Sequence, residues 1–407
     1  MKQKLSSTIL FYCVLIIIGL FFQPNIVNGQ VKVEKITSGE KFVMHSKVLN
    51  EDRTIKIWFP EDYGKSEKKY PVLYLLDGEY FFQQAASAVQ FLSECDYISN
   101  HPIPQMIIVG IVNIDRNRDY TPTYAPEQPG NLQFPTSGKA DKFTGFLSTE
   151  LIPYIHSHYK TQPYRILAGW SLGGLFTVHT FFENPQLFSA YLAVSPSLWW
   201  DKDMYVKRSE TLLSSGKISN KPLTVTVGSL EGGDIGRSVR DGFARVMKEK
   251  LNPDFPFTLV EIPGEGHYFV PYKAIYQGLI SLYSDWQMPF KKIQEGFNAV
   301  DSFYKKLSKK YGYEITISQW AYRNLINSYD SEKEWKEALK IAEKYILDYP
   351  QSPWAYCLLG STYQNLNQFE LAKEYYQKAI KLEKSRSEYY SENILTFTMM
   401  LQNVKEN

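Results

Sequence analysis

Cysteine is scarce, with three residues in 407, at positions 13, 95 and 357. So few thiols exclude a disulfide-built scaffold. Cys13 lies inside an apolar run rather than at its end, which argues against a lipid-attachment site. Cys95 and Cys357 fall in segments of different texture and are not expected to pair. Histidine is also sparse, at six, and no Cys/His grouping has zinc-site spacing. His156 and His158 sit two apart on an expected helix, so they point in different directions and read as surface residues. No metal and no cofactor are therefore expected. An excess of either charge is missing too: 45 Lys and Arg stand against 43 Asp and Glu. Neither nucleic acid nor an anionic membrane surface is indicated as a partner. The apolar run from Ile9 to Phe22 is short for a bilayer span. With Lys2 and Lys4 before it and Val27-Asn28-Gly29 after it, it has the layout of a secretory signal cut before Gln30. The expectation is an exported protein, periplasmic or extracellular, with no stable membrane span after cleavage.

The remaining composition is that of a globular chain long enough for two or three domains: 44% hydrophobic, 22% charged and 15% aromatic. From Val31 to about Pro60 the pattern alternates as an antiparallel hairpin would, around "NEDRT" at 50–54. Short buried runs follow: "YPVLYLL" (70–76), "QMIIVGIV" (105–112), "RILAG" (165–169), "AYLAVS" (190–195), "PLTVTVG" (222–228) and "FTLVEIP" (257–263). Helix-period segments at 83–93, 140–158, 172–183, 235–250 and 271–287 lie between most of them. This alternation predicts an α/β domain with a mostly parallel sheet. The stretch 115–139 is rich in Pro, Thr, Tyr and Gly without periodicity, and reads as disordered or as a functional lid.

Near Pro289 strand signals stop and Lys, Glu, Tyr and Leu recur at helical spacing. Tyr322, Leu325, Tyr329, Ala338, Ala342 and Tyr345 are matched 34 residues later by Tyr356, Leu359, Tyr363, Ala372, Tyr376 and Ala379. Small residues allow paired helices to approach, and Leu and Tyr fill the space between them. The repeat resembles the tetratricopeptide repeat over about 319–386, with units at 319–352 and 353–386. Helices at 289–310 and 387–404 are expected to cover its ends. The resulting organisation is a signal peptide at 1–29, an α/β domain at 30–288 and an all-α repeat domain at 289–407.

The chemistry centres on "AGWSLGGL" (168–175). Ser171 follows a buried strand and precedes a helix, the setting of a nucleophile elbow. Gly169 and Gly173 let the turn tighten, and Gly174 permits close packing. The helix start aims backbone N–H groups at the place where an oxyanion would form. A serine nucleophile needs a base, and the base needs an orienting carboxylate. Of the histidines only His179 and His267 lie downstream; His179 faces away from the helix start and reads as a packing residue. His267, in the "GEGH" loop after a strand, is assigned as the base. "SLEGGD" offers Glu231 and Asp234 as the acid, with Glu231, three residues past Gly228, favoured and Asp234 the alternative. The backbone N–H groups of Leu172 and of Glu79, just past the "DG" turn, are the expected oxyanion donors.

Taken together and in order, "YPVLYLLDG", "GWSLGGL", "VGSLE" and "GEGH" resemble the esterase family of α/β-hydrolases that includes esterase D, feruloyl esterases, ferric-siderophore esterases and mycolyltransferases. "RNRDYTP" (116–122) and "KADKFTGFLSTELIPYI" (139–155) match its siderophore-esterase-like branch. The resemblance covers about residues 31–288. It implies an α/β-hydrolase fold and carboxylic-ester hydrolysis through an acyl-serine, with Ser171 as nucleophile, His267 as base and Glu231 as acid. Many members carry Asp where this chain has Glu231.

Arg116, Arg118 and Lys139 flank the 115–139 stretch, and "SPSLWWD" (195–201) brings Trp199 and Trp200 after another strand end. Cations and aromatic faces suit an anionic or aromatic acyl group, so Arg116, Arg118, Trp199 and Trp200 are candidate substrate-binding residues. The repeats are expected either to bind a protein partner or to pack against the α/β domain. Two other functions stay open at this point: a non-catalytic repeat scaffold with a dead hydrolase domain, and an acyltransferase whose acyl-serine passes to a sugar alcohol.

Overall fold

The computed structural model describes residues 39–94, 99–214, 220–250, 255–386 and 392–404; the signal segment expected at 1–29 and Cys95 lie outside them. Among the described residues no helix is long and apolar enough to cross a membrane.

An eight-stranded sheet runs in the order β1-β2-β4-β3-β7-β8-β9-β10. β1 (Gly39–Ser46) and β2 (Glu51–Trp58) form the antiparallel edge. β3 (Tyr70–Leu75), β4 (Ile107–Ile111), β7 (Thr161–Trp170), β8 (Ala190–Val194), β9 (Leu223–Gly228) and β10 (Phe257–Ile262) are parallel. The central strands read as unbroken apolar runs because both faces are covered. Along β3, Leu73 and Leu75 enter one core, and Val72 and Tyr74 enter the other. The Gly78–Glu94 and Val270–Leu282 helices cover the first face. Helices spanning 140–158, 172–183, 200–214 and 233–250 cover the second. The molecule is thus an α/β-hydrolase fold with a mostly parallel sheet, followed by an all-helical region.

Three local expectations are corrected. The first turn is Lys47–Asn50, not "NEDRT", most of which lies in β2. Glu150, a hundred residues away, fixes that turn by accepting bonds from Ser46 Oγ (2.5 Å) and the amides of Lys47 and Val48 (2.8 and 3.1 Å). The 115–139 stretch is ordered. It holds the Arg116–Tyr120 helix, capped by Asp115, and a two-residue ladder of β5 (Glu127–Gln128) with β6 (Leu132–Gln133). Thr123 Oγ1 donates to Asp201 Oδ2 (2.7 Å) and the Asp201 amide donates to Gln128 Oε1 (3.1 Å), and the two bonds tie it down. The helix expected at 289–310 is divided into Phe290–Gln294 and Phe297–Tyr311, because Gly296 takes φ +85° between them.

Four helices then pair as Gln319–Ser331 with Trp335–Asp348 and Pro353–Asn365 with Phe369–Arg386; Glu392–Gln402 follows. Their buried Tyr322, Leu325, Ala338, Ala342, Tyr345 and Leu359 are continuous with the core of the first sheet face. The junction is aromatic: the Tyr311 ring lies 5.1 Å from Tyr164, 5.4 Å from Tyr283 and 5.5 Å from Trp286. Tyr164 is six residues before the end of β7, so this junction is about 20 Å along the strand from Ser171.

Candidate active site

Parallel strands bring their carboxyl ends to one edge of the sheet, where α/β folds place their sites. At the end of β7 the chain turns sharply: Ser171 has φ +58° and ψ −115° before the Leu172–Glu183 helix begins. A non-glycine residue held there stores strain of about 1–3 kcal/mol. Its neighbours hold it. The Ser171 amide donates to Val194 O (3.0 Å), and its carbonyl accepts from the amides of Leu175 (2.9 Å) and Ser197 (3.0 Å). The turn is closed so tightly that a Cβ on Gly169 would lie 2.3 Å from Gly173 O.

His267 stands on the loop after β10. Its Nε2 is 3.0 Å from Ser171 Oγ, and its Nδ1 is 2.8 Å from Glu231 Oε2. Glu231, just past β9, is buried. Its Oε1 accepts bonds from Ser195 Oγ (2.5 Å) and the Gly228 amide (2.7 Å). Burial pushes the Glu231 carboxyl upward, but the bonds from His267, Ser195 and Gly228 outweigh it and hold the group below the ordinary value. An ionised carboxylate has no proton to give. His267 Nδ1 therefore carries the donated hydrogen, and the Nε2 lone pair faces the serine. The Arg240 guanidinium donates to the carbonyls of Gly228 and Glu231 and so fixes the Glu231 backbone.

The amides of Glu79 and Leu172 each lie in the first turn of a helix, where no intrahelical carbonyl is available. β3 pairs with β7, and Leu76 N donates to Ala168 O at 2.9 Å, so the two helix starts are neighbours. Between them sits buried Asp77, at φ +55°. Arg116 grips it with Nε to Oδ1 at 3.2 Å and Nη2 to Oδ2 at 3.1 Å, and Asn113 bonds to it as well. The Arg116 guanidinium also lies 5.6 Å from the Trp170 ring.

The remaining candidate residues have other partners. Asp234 points outward, its side chain 58% exposed, and pairs with Arg237. Arg116 is paired with Asp77, and Arg118 with Glu51 and Asp119. Trp200 is wholly buried, its indole N–H on Thr123 Oγ1 (3.0 Å), where it anchors the 115–139 stretch. Trp199 is half-buried, tilted against Phe134. His179 packs in the core with Nδ1 2.7 Å from the Tyr205 hydroxyl. His156 contacts Thr161 and His158 stacks on Tyr154. Sequence reading missed Trp170, whose ring lies 4.9 Å from that of His267 and whose indole N–H donates to His267 O (3.0 Å). It also missed Ser195 and Ser197 of "SPSLWWD", since a serine hydroxyl carries no spacing signal of its own. Exposed Tyr80 lies in the first turn of the Gly78–Glu94 helix, and exposed Tyr268 and Phe269 lie on the loop that follows β10.

Residues 46–241 match the family model described as "Putative esterase", and residues 355–386 match a tetratricopeptide repeat. The ferri-bacillibactin esterase BesA of Bacillus subtilis (strain 168) is 29% identical over 239 residues, covering 54% of this chain and 81% of that protein. The solved structure of an IroE-like serine hydrolase from Shewanella oneidensis is 31% identical with a TM-score of 0.64, covering 74% of this chain and 97% of that one. An uncharacterised protein from Capnocytophaga ochracea DSM 7271 matches 90% of this chain and 99% of its own with a TM-score of 0.58; at 17% identity this likeness speaks for the fold alone. With the elbow, the sheet order and these matches in hand, the chain belongs to the "Putative esterase" family of α/β-hydrolases and is a carboxylic ester hydrolase that carries a tetratricopeptide-repeat region.

Proposed function

We propose that this protein is an exported serine esterase that cleaves siderophore-type esters through an acyl-serine intermediate. The observation that carries the mechanism is the hydrogen-bonded line from Ser171 through His267 to Glu231, at 3.0 and 2.8 Å. Ser171 attacks the ester carbonyl as His267 Nε2 takes its proton. The amides of Leu172 and Glu79 receive the negative charge on the carbonyl oxygen. His267 then protonates the departing alcohol, and water repeats the cycle on the acyl-serine. Glu231 holds the imidazole in the required tautomer and stabilises it when protonated.

The siderophore assignment is supported by the likeness to an esterase named for ferri-bacillibactin. Export is supported by the basic-then-apolar order of residues 2–22. We take residues 30–288 as the catalytic unit and 289–407 as the repeat unit, with the repeats packed on the hydrolase. A fluorophosphonate probe labels the wild-type protein stoichiometrically and fails on Ser171→Ala and His267→Ala; labelling that persists in Ser171→Ala rejects the mechanism. For the substrate, kcat/KM is compared on p-nitrophenyl acetate, methyl ferulate, acetylated xylan and a catecholate trilactone. The trilactone is expected to rank first, and a higher value for methyl ferulate or acetylated xylan moves the assignment to acyl-sugar esters.

A further inference from the structure

The tripeptide Ser195-Pro196-Ser197, on the loop after β8, touches both ends of the site. Ser195 Oγ donates to Glu231 Oε1 at 2.5 Å, and Ser197 Oγ lies 3.1 Å from Ser171 Oγ. Both side chains are at most 1% exposed. Pro196 packs on the elbow helix so closely that a Cβ on Gly174 would lie 2.9 Å from its Cα. The loop is therefore locked in place, and neither hydroxyl is free to turn to solvent.

Counting protons fixes the direction of the second contact. Ser171 Oγ has one hydrogen, and it is directed at His267 Nε2, whose lone pair faces it. Toward Ser197 the nucleophile's oxygen acts only as an acceptor. We propose, on the serine-esterase reading above, that Ser197 is a further catalytic residue that donates its hydroxyl hydrogen to Ser171 Oγ and speeds breakdown of the acyl-enzyme, while Ser195 is a positioning residue that acts through Glu231.

The step-specific effect follows from how well Oγ accepts at each stage. In the free enzyme Oγ belongs to a hydroxyl and already accepts well, so attack on substrate gains little from Ser197. In the acyl-enzyme Oγ is an ester oxygen, a weak acceptor. Water adds to the acyl carbon, its proton passing to His267, and the tetrahedral intermediate collapses by breaking the bond from acyl carbon to Oγ. The bonding pair goes to Oγ, His267 returns the proton, and the acid leaves. The Ser197 bond strengthens as that charge develops, which is the condition for lowering a barrier.

Ser195 has φ +41°, a backbone conformation that favours glycine. Ser195→Gly therefore removes the hydroxyl without straining the loop. The charged or titratable groups around Glu231 are His267, on the loop after β10, and Arg240, on the next helix. Asp234 and Arg237 pair with each other on the outside. Around His267 they are Glu231, Tyr268 and, beyond the Trp170 ring, Arg116. With Ser195 gone, the carboxylate keeps more of its charge for His267 and favours the protonated imidazole.

Pre-steady-state kinetics on p-nitrophenyl acetate tests both assignments. In Ser197→Ala deacylation falls by about tenfold to a hundredfold, as for a lost hydrogen bond to a developing charge. Acylation stays within about threefold of wild type, so a nitrophenolate burst grows. In Ser195→Gly the acidic limb of kcat/KM moves to higher pH, with thermal stability kept. Equal slowing of both steps in Ser197→Ala, no slowing at all, or an unshifted limb in Ser195→Gly overturns the proposal. If the wild-type protein fails to react with the fluorophosphonate probe, it is the serine-esterase reading that falls instead.

Discussion

Glu231 is buried, yet three donors keep its carboxyl ionised more easily than in water. Because its value is lowered on folding, its contribution to stability is complete above about pH 4.3, the ordinary glutamate value, and is lost as pH falls through the lower folded value. Loss of activity between pH 5 and 8 therefore does not come from Glu231. Glu231→Gln removes the charge facing His267 and is expected to lower kcat by about a hundredfold or more, while Asp234→Asn is mild; steady-state rates on p-nitrophenyl acetate check the order. Arg116 makes a contrasting case. A substrate-binding arginine would affect KM alone. Here Asp77, 1% exposed, depends on it. Arg116→Leu leaves a buried carboxylate unpaired and is expected to cost about 3–5 kcal/mol in denaturant unfolding, with kcat lowered because Asp77 precedes the Glu79 amide. A raised KM with unchanged stability would return Arg116 to the substrate.

The elbow helix shows what an element adds to its residues. Its sequence is apolar nearly all round, which signals a helix buried on every side rather than an amphipathic one. Gly174 faces Pro196 and Val194 O, each 2.9 Å from where a methyl would sit. Gly174→Ala is expected to cost about 1–3 kcal/mol and to lower activity by pushing the Ser195–Ser197 loop away from Glu231 and Ser171. Unchanged kinetics in that variant would show the loop to be unimportant. On the same helix, burial holds His179 below the usual imidazole value, only partly opposed by Asp141. The unfolded chain takes up a proton below about pH 6.5 before the folded one does. Stability therefore falls as pH drops through that value, and His179→Gln flattens this dependence in pH-resolved unfolding curves.

For the whole molecule, the continuous core from β3 to Leu359 joins the repeats to the hydrolase. Tyr311 is buried at the junction, and its hydroxyl donates to Asp285 (2.9 Å). Tyr311→Ala is expected to cost about 3–5 kcal/mol, with kcat/KM within about twofold of wild type, since the site is about 20 Å away. Calorimetry should show a single transition, because the helices from Phe297 to Leu359 share the core of the first sheet face and only the last helices add a small cluster of their own around Cys357, Tyr376 and Phe397. Two resolved transitions would mean that the repeats fold independently.

The sequence by itself determined the parallel sheet, the order of the strands and helices and the period of the repeats, because each depends on local apolar spacing. It also singled out Ser171 and His267, since a strand, a tight glycine turn and a helix occur in one short stretch. Only the tertiary structure shows that Glu231 and not Asp234 is bonded to His267, because this depends on which carboxylate the loop after β9 turns inward. The fate of Arg116 and Trp200 was equally hidden: a cation or an indole beside a site looks the same in sequence whether it meets substrate or a buried partner. Ser195 and Ser197 were unreadable for a related reason. A hydroxyl carries no pattern of its own, and these two gain meaning only when β7, β8 and β9 bring Ser171, their own loop and Glu231 side by side.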